Sequence, residues 1–380
     1  MKKRSVVVTT GTRADYGILR PVLDEIKNSK KLDLKLIVTG SHFSKEHGMT
    51  INQIKKDGYN VAGKIILMPK IDSTFESTKI LGKFVIEFSK IFQKLKPDIN
   101  VVLGDRDEMF ASAIAAYHMN IPNAHIHGGD KSGGLDEYTR HAITKLSNIH
   151  FAATKKSVNR ILKMGENFNT VFHTGSPSID EVKKNKISTM SELTKKYGHE
   201  VINNEILLLQ HSVTTEIDKT EQHIIETLNA IIKLEKKTIV IGTNLDPGHK
   251  IIHKKIKEII KKHDFVKFFP TLPRDDYLGF LKNCKVLVGN SSSGIIEASF
   301  FKIPVVNIGI RQKFREKGPN VLDVPQFSQK LIYNAIKKSL KSKKLMQSSI
   351  YGTGNSAKKI IKHLEEINLN TELLQKQITY

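Results

Sequence analysis

The chain has 380 residues, 39% of them hydrophobic, and sets 61 Lys and Arg against 38 Asp and Glu for a formal charge of +23. That length suits two domains with real cores, and the single cysteine, Cys284, excludes an internal disulfide and a thiolate-rich metal site. The lysines cover the polar faces of helices ("KNSKK", "IIHKKIKEIIKKHD", "IKKSLKSKK") without zinc-finger spacing or a recognition-helix pattern, so nucleic acid is not the expected partner; the charge reads as a solvated surface, and it would also steer a pyrophosphate-bearing substrate.

The first ten residues carry Lys2, Lys3 and Arg4 but then turn polar too soon for a signal segment. No stretch approaches the ~20 apolar residues of a membrane helix, so a cytoplasmic protein with no membrane partner is expected. In chain order the strand candidates of the first half are "SVVVTT", "LDLKLIVTG", "DINVVLGD", "IPNAHIHGG", "IHFAAT" and "NTVFHTGS", separated by helix-period segments such as "RPVLDEIKNS" and "DEMFASAIAAYHMN". A second series follows: "EILLLQHS", "KTIVIGTN", "VKFFP", "KVLVGNSS" and "IPVVNIG". Strands alternating with helices predict parallel sheets wound on both faces, hence an α/β protein of two Rossmann-like domains with its active site in the cleft between them. The domains are read as 1–175 and 189–360, with a hinge at 176–188 ("SPSIDEVKKNKIS") and a tail at 361–380 that packs back on the first domain. The last residues, "LNTELLQKQITY", read as loosely held. Cys284 reads as a small core residue between a helix and a strand.

The unusual residues cluster where these strands end. "VVVTTGTRADYGILRPVLDEI", residues 6–26, opens like a nucleotide-binding unit, yet its turn holds Gly11 alone in place of a glycine fingerprint. Arg13 can fork onto phosphate oxygens there, or pair with Asp15 across the turn. "VVLGDRDEMF" puts Asp105, Arg106 and Asp107 after a buried strand; Asp107 suits a helix cap, whereas Asp105 comes too early for one.

In "AHIHGGDKSGGLDEYTRHAITK", His125 and His127 lie two apart on a strand, Asp130 follows at a Gly-Gly turn, and Asp136 and Glu137 open a helix. Two histidines and an aspartate would be the start of a metal site. The glycines and the Asp136-Glu137-x-x-Arg140-His141 group favour a loop folded round an organic ligand instead, and no metal or cofactor is expected. The bland role for Asp136 and Glu137 is compensation of a helix dipole.

In the second half His211 ends one strand, and Asn244, Asp246, His249 and Lys250 follow another. "GNSSSGIIEAS" sets Ser291, Ser292 and Ser293 before a helix whose first amides form an anion site, with Glu297 one turn in. A plain serine cap explains the serines equally, but Arg311 and Arg315 after the next strand favour phosphate.

Together "GTRADYGILRPVL", "VLGDRDEMF", "IPNAHIHGGDKSGGLDEYTRHAITKLS", "GNSSSGIIEAS" and "NIGIRQKFREKGPNVLDVP" resemble, in collinear order over essentially the whole chain, the hydrolysing branch of the UDP-N-acetylglucosamine 2-epimerases. The resemblance implies a glycosyltransferase-B-like fold whose last helix crosses back onto the first domain, and a homodimer or homotetramer. It implies conversion of UDP-N-acetylglucosamine and water to N-acetylmannosamine and UDP, for sialic acid-type sugars, through a 2-acetamidoglucal. Close relatives do the same chemistry on UDP- or GDP-N,N'-diacetylbacillosamine, feeding legionaminic acid. By resemblance Asp105 and Asp136 lie near the sugar, His211 contacts phosphates and Glu297 the ribose. Arg13, Arg106, Asn244, Ser291, Ser292, Arg311 and Arg315 then complete the substrate and leaving-group cradle. Many relatives carry glutamate where this chain has His127, so His127, Asp130 or Glu137 would supply the second acid-base group, and which is base and which acid stays open. The rivals are a non-hydrolysing epimerase, a retaining glycosyltransferase of the same fold and a nucleotide-sugar sensor without turnover.

Overall fold

The computed structural model describes residues 2–44, 48–67, 74–133, 136–184, 187–198, 201, 205–243, 247–342 and 347–380. It divides into two compact units. The first comprises Met1–Lys131, Asp136–Lys183 and Tyr351–Tyr380; the second comprises Ser132–Leu135 and Lys184–Ile350.

The sheet of the first unit contains, among the described residues, β1 (Arg4–Thr10), β2 (Leu32–Thr39), β3 (Val61–Ile65), β4 (Ile99–Leu103), β5 (Asn123–Ile126), β6 (Ile149–Ala152) and β7 (Val171–His173), ordered 3-2-1-4-5-6-7. Every pairing is parallel. Parallel strands need crossover helices on both faces, so the central strands read as unbroken apolar runs; β4, "INVVL", is buried throughout. Helices α1 (Arg13–Asn28), α2 (Ile51–Lys56), α3 (Thr74–Leu95), α4 (Asp107–His118), α5 (Asp136–Leu146) and α6 (Lys155–Lys163) carry the chain between them, while α8 (Met190–Tyr197), α10 (His249–Ile260) and α11 (Arg274–Asn283) belong to the second unit. The sequence reading missed β3, a five-residue strand, "VAGKI", with two exposed side chains and a glycine, which has little apolar signal to read.

The second sheet holds β8 (Ile206–Leu209), β9 (Thr238–Ile241), β10 (Val266–Phe269), β11 (Val286–Gly289), β12 (Val305–Ile308) and β13 (Val321–Val324), in the order 10-9-8-11-12-13 and again parallel. Its core gathers Ile206, Leu208, Val240, Val286, Val288 and Val306 against Ile224, Leu228 and Ile231 of α9 (Thr220–Leu234) and Ile332 and Ile336 of α13 (Gln329–Leu340). Cys284 is buried ahead of β11, where desolvation pushes its thiol up to about 12.

The segment expected to be a hinge is largely helical. Pro177–Lys184 forms α7, and Ser176, Ser178, Asp180 and Glu181 at its start are fully or almost fully buried. Asp180 accepts from the amides of Ser356 and Ala357 at 2.9 and 3.2 Å. It thereby caps α14 (Ser356–Glu366) from another helix and satisfies amides that have no partner within α14. Gly175, at φ +85°, would drive a Cβ to 2.8 Å from Ser356 Oγ, so the chain passes here only as glycine.

The return to the first unit therefore starts at Tyr351, ahead of residue 361. Ala357, Ile360, Ile361 and Leu364 of α14 join the core of the first sheet, and Arg4 donates to the carbonyls of Leu364 and Ile367 at 2.9 and 2.8 Å. The tail is also held more firmly than its composition suggests. Lys376 donates to Ser147 O at 2.6 Å and to the buried carboxylate of Glu166 at 2.7 Å. Burial alone would push that carboxyl up, but His150, Lys145 and Lys376 together hold it down at about 2.

Candidate functional site

At the end of β1 the turn is built by packing and side chains. Thr12 caps α1, its hydroxyl bonded to Asp15, and the Asp15 carboxylate accepts from Gly11 N–H at 2.9 Å. Burial raises the Asp15 carboxyl above its ordinary range, against the opposing charge of Arg106. Gly40, at φ +61°, would place a Cβ 2.7 Å from both Gly11 O and Glu108 Oε1. The single glycine of this turn therefore answers to close packing against Gly40 and Glu108. Arg13 is the first residue of α1 and half-buried.

Beyond β4, Gly104 adopts φ +71° and turns the chain so that Asp105 leaves the sheet before α4 begins. Arg106 occupies the cap position, and Asp107 opens the helix instead of capping it. The Asp105 carboxylate meets the guanidinium of Arg140, a residue only 1% exposed. Arg140 also donates to the carbonyl of Asp130 at 3.1 Å and to Glu137 at 3.5 Å. Glu137 in turn meets His141 Nε2 at 3.0 Å, one helical turn along α5. A buried guanidinium with its fork filled by carboxylates and a carbonyl fixes orientation as well as charge. Asp136 lies half-buried in the first turn of α5.

His125 and His127 sit beside this cluster. His125 is fully buried; its Nε2 meets Gly104 O at 2.7 Å and its Nδ1 meets Thr144 Oγ1 at 3.2 Å. A carbonyl can only accept, so Nε2 carries the proton, and burial depresses the imidazole to about 3. His127 stands just past β5 at φ +66°, a left-handed conformation costly for a residue with a Cβ. Its Nδ1 lies 3.0 Å from Asp130 Oδ2 and its Nε2 2.9 Å from Ser176 Oγ. Among the described residues no group of three or more His, Cys, Asp or Glu is arranged to hold a metal ion.

The second unit organises its residues around Asn290, fully buried after β11. Its side chain accepts from His211 N–H at 2.7 Å and donates to His211 O at 2.9 Å. Its own carbonyl accepts from Arg311 at 3.2 Å and from Gln312 at 3.3 Å. One asparagine thus sets both His211 and Arg311. Ser291 caps α12 (Ser292–Phe300) by accepting from Ser293 N–H at 3.3 Å. The serine-cap role is real: Ser291 also takes the Gly294 amide on its carbonyl at 3.1 Å, so what α12 offers an anion is the positive end of its dipole. Glu297, 3% exposed, is bonded to Ser293 and paired with Arg274, while Tyr277 bonds Ser293. Arg315 lies half-buried two residues past Lys313. Asn244 and Asp246 lie outside the described residues.

Ser176, Arg274, Tyr277 and Asn290 are organising groups that sequence reasoning did not assign to the site, and Arg140, placed in the ligand loop, had no role of its own. Asn290 and Arg140 were visible inside quoted motifs, but nothing in spacing says that one side chain bridges two loops.

A family model described as "UDP-N-acetylglucosamine 2-epimerase" matches residues 24–365 of this chain. The chain belongs to that family. Among curated members, it is 38% identical to the UDP-N,N'-diacetylbacillosamine 2-epimerase (hydrolyzing) of Legionella pneumophila, covering 99% of this chain and 100% of the relative. It is 31% identical to the UDP-N-acetylglucosamine 2-epimerase of Neisseria meningitidis, covering 96% and 95%. The crystal structure of UDP-GlcNAc 2-epimerase from N. meningitidis bound to UDP-GlcNAc superposes with a TM-score of 0.81 at 20% identity, over 96% of this chain and 100% of that one. The enzyme from Methanocaldococcus jannaschii gives 0.79 at 23% identity, over 96% and 99%. The two-sheet, glycosyltransferase-B-like α/β architecture expected of the family is the one this member adopts.

Proposed function

We propose that this chain is a hydrolysing 2-epimerase that takes a UDP-linked 2-acetamido sugar and water to the free 2-epimer and UDP. The observation that carries the reading is the end-to-end similarity to the Legionella enzyme named as hydrolysing, 38% identical with full coverage both ways. It also favours UDP-N,N'-diacetylbacillosamine as the sugar nucleotide. The second candidate, UDP-N-acetylglucosamine, is supported by the N. meningitidis relative at 31% identity. A third relative, from Campylobacter jejuni and 33% identical, is named for both GDP and UDP forms of diacetylbacillosamine, so GDP is tested alongside.

C2 of such a sugar has no adjacent carbonyl, so its proton leaves only as the C1–oxygen bond breaks and the bonding pair departs with UDP. The product of that step is a 2-acetamidoglycal. Water then adds hydroxyl at C1 while C2 takes a proton from the opposite face. This needs two acid-base groups and a cradle for the leaving diphosphate. We assign proton transfer to the Asp105, Asp136 and Glu137 set of the first unit. The cradle is assigned to Arg13 and Arg106 of the first unit and to His211, Ser291, Ser292, Arg311 and Arg315 of the second, with Glu297 on the ribose.

Incubation with UDP-N-acetylglucosamine, UDP-N,N'-diacetylbacillosamine and its GDP analogue, followed by NMR, tests the reading. Free 2-epimer with free nucleoside diphosphate is expected. A nucleotide-linked 2-epimer identifies a non-hydrolysing epimerase, and intact substrate that binds without turnover identifies a sensor.

A further inference from the structure

His127 and Asp130 are the buried pair of the motif, 6% and 3% exposed, and both have side-chain partners within the first unit. Asp130 Oδ2 can only accept, so His127 Nδ1 carries a proton toward it. Ser176 Oγ accepts from Ser178 N–H at 3.3 Å and turns its own hydrogen to His127 Nε2. The other carboxylate oxygen, Asp130 Oδ1, accepts from Ser157 Oγ at 2.7 Å. The Ser–His–Asp order is that of a nucleophilic triad, yet Ser176 is completely buried and its own amide donates to Tyr351 O at 2.8 Å. No electrophile reaches it.

The relay leads elsewhere. The carbonyl of Asp130 receives Arg140 Nη1 at 3.1 Å, and Nη2 of the same guanidinium pairs with Asp105. A glutamate at 127 would set a second carboxylate against Asp130, which like charges oppose. Histidine at 127 and aspartate at 130 are therefore a matched pair.

We propose that His127 is a positioning residue: with Asp130 and Ser176 it closes a buried hydrogen-bond relay that fixes Arg140, and through it the Asp105 carboxylate. Proton transfer is left to the half-buried Asp105, Asp136 and Glu137, of which the side chains of Asp105 and Glu137 are 21% and 22% exposed. The inference rests on the proposed 2-epimerase reading for its kinetic consequences, but not for the tautomer it requires.

Both are measured on the full chain. In 15N spectra of histidine-labelled protein, the ring signal lost in His127→Asn belongs to the Nδ1–H form, and Ser176→Ala moves the Nε2 shift of that signal. His127→Asn keeps an N–H for Asp130 and lowers kcat about tenfold, while His127→Ala lowers it about a hundredfold; KM stays within about threefold, and both limbs of the kcat–pH profile survive. Thermal unfolding of each variant identifies a loss due to misfolding, in which case His127→Asn and Ser176→Ala carry the test. An Nε2–H tautomer, or a limb of the pH profile that disappears in His127→Asn, overturns the proposal. Wild-type protein that turns over none of the nucleotide sugars defeats the 2-epimerase reading instead, and the tautomer still decides the relay.

Discussion

Both units gather their distinctive residues after the carboxyl ends of parallel strands, but they hold them differently. In the first, carboxylates and imidazoles are locked to one another: Arg140 binds Asp105, Glu137 and the Asp130 carbonyl, and the two histidines bond Gly104, Thr144, Asp130 and Ser176. In the second, one neutral residue, Asn290, sets His211 through its side-chain amide and Arg311 through its backbone carbonyl, and the N-terminus of α12 behind Ser291 supplies positive potential. A group that moves a proton must keep its orientation while its charge changes, which calls for fixed charged partners. A site for a dianionic leaving group needs donors and positive potential, which backbone amides and a few arginines provide.

The sharpest way to break this contrast is to neutralise one residue on each side. Asp105→Asn should cut kcat by about a hundredfold or more while UDP affinity by calorimetry stays within a few fold, because an acid-base group acts mainly in the transition state. A variant that turns over normally would reduce Asp105 to a structural partner of Arg140. Arg311→Ala should show the opposite split. Its UDP affinity should fall by about 1.5–3 kcal/mol, the scale of a hydrogen bond to a charged group, with a smaller effect on kcat at saturation.

Arg13 is the residue that would blur the division. It lies in the first unit, yet the same ~1.5–3 kcal/mol loss of UDP affinity is expected for Arg13→Ala if its guanidinium replaces the amides of a glycine-rich turn. Unchanged affinity would leave it a structural residue of the α1 turn and sharpen the contrast.

How much of this could be read beforehand follows from the kind of signal each feature sends. Unbroken apolar runs announced β1, β4, β8 and β11 because a parallel strand is covered on both faces. β3 and β13, at the sheet edges and partly exposed, sent no such signal. The strand-end residues Asp105, His127, His211 and Ser291 stood out by position. What spacing could not convey were bridges between loops distant in sequence: Arg140 to Asp105, Asn290 to His211 and Arg311, and Ser176 to His127, 49 residues apart. The helix and burial at the start of α7 gave no signal for a related reason, although the two units do part at Lys183 and Lys184, inside the expected segment. "SPSIDEVKK" has turn residues and charge on its surface pattern, but Asp180 and Glu181 are buried because partners from α14 and α1 meet them.

A separate expected effect concerns stability, and it distinguishes the units by pH. His125 is depressed to about 3 and His42 to about 4, both chiefly by burial. An unfolded histidine binds its proton near pH 6.5, so below that pH the unfolded chain holds protons that the folded chain refuses until pH falls to 3–4. Stability should therefore decline as pH drops through this window, by up to about 1.4 kcal/mol per histidine per pH unit. Both histidines belong to the first unit. Hydrogen exchange at pH 7 and 5 should show its amides losing protection ahead of those of β8 and β11; uniform loss would place the acid sensitivity elsewhere.

The central claim is that C2 gives up its proton to the Arg140-held carboxylates as the C1–oxygen bond breaks and UDP leaves. It is tested most directly by running the wild-type reaction in D2O and reading the free sugar by NMR. The account predicts one deuterium at C2 of every product molecule, with UDP released in equal amount. A 2-epimer that retains its original hydrogen at C2 would contradict it.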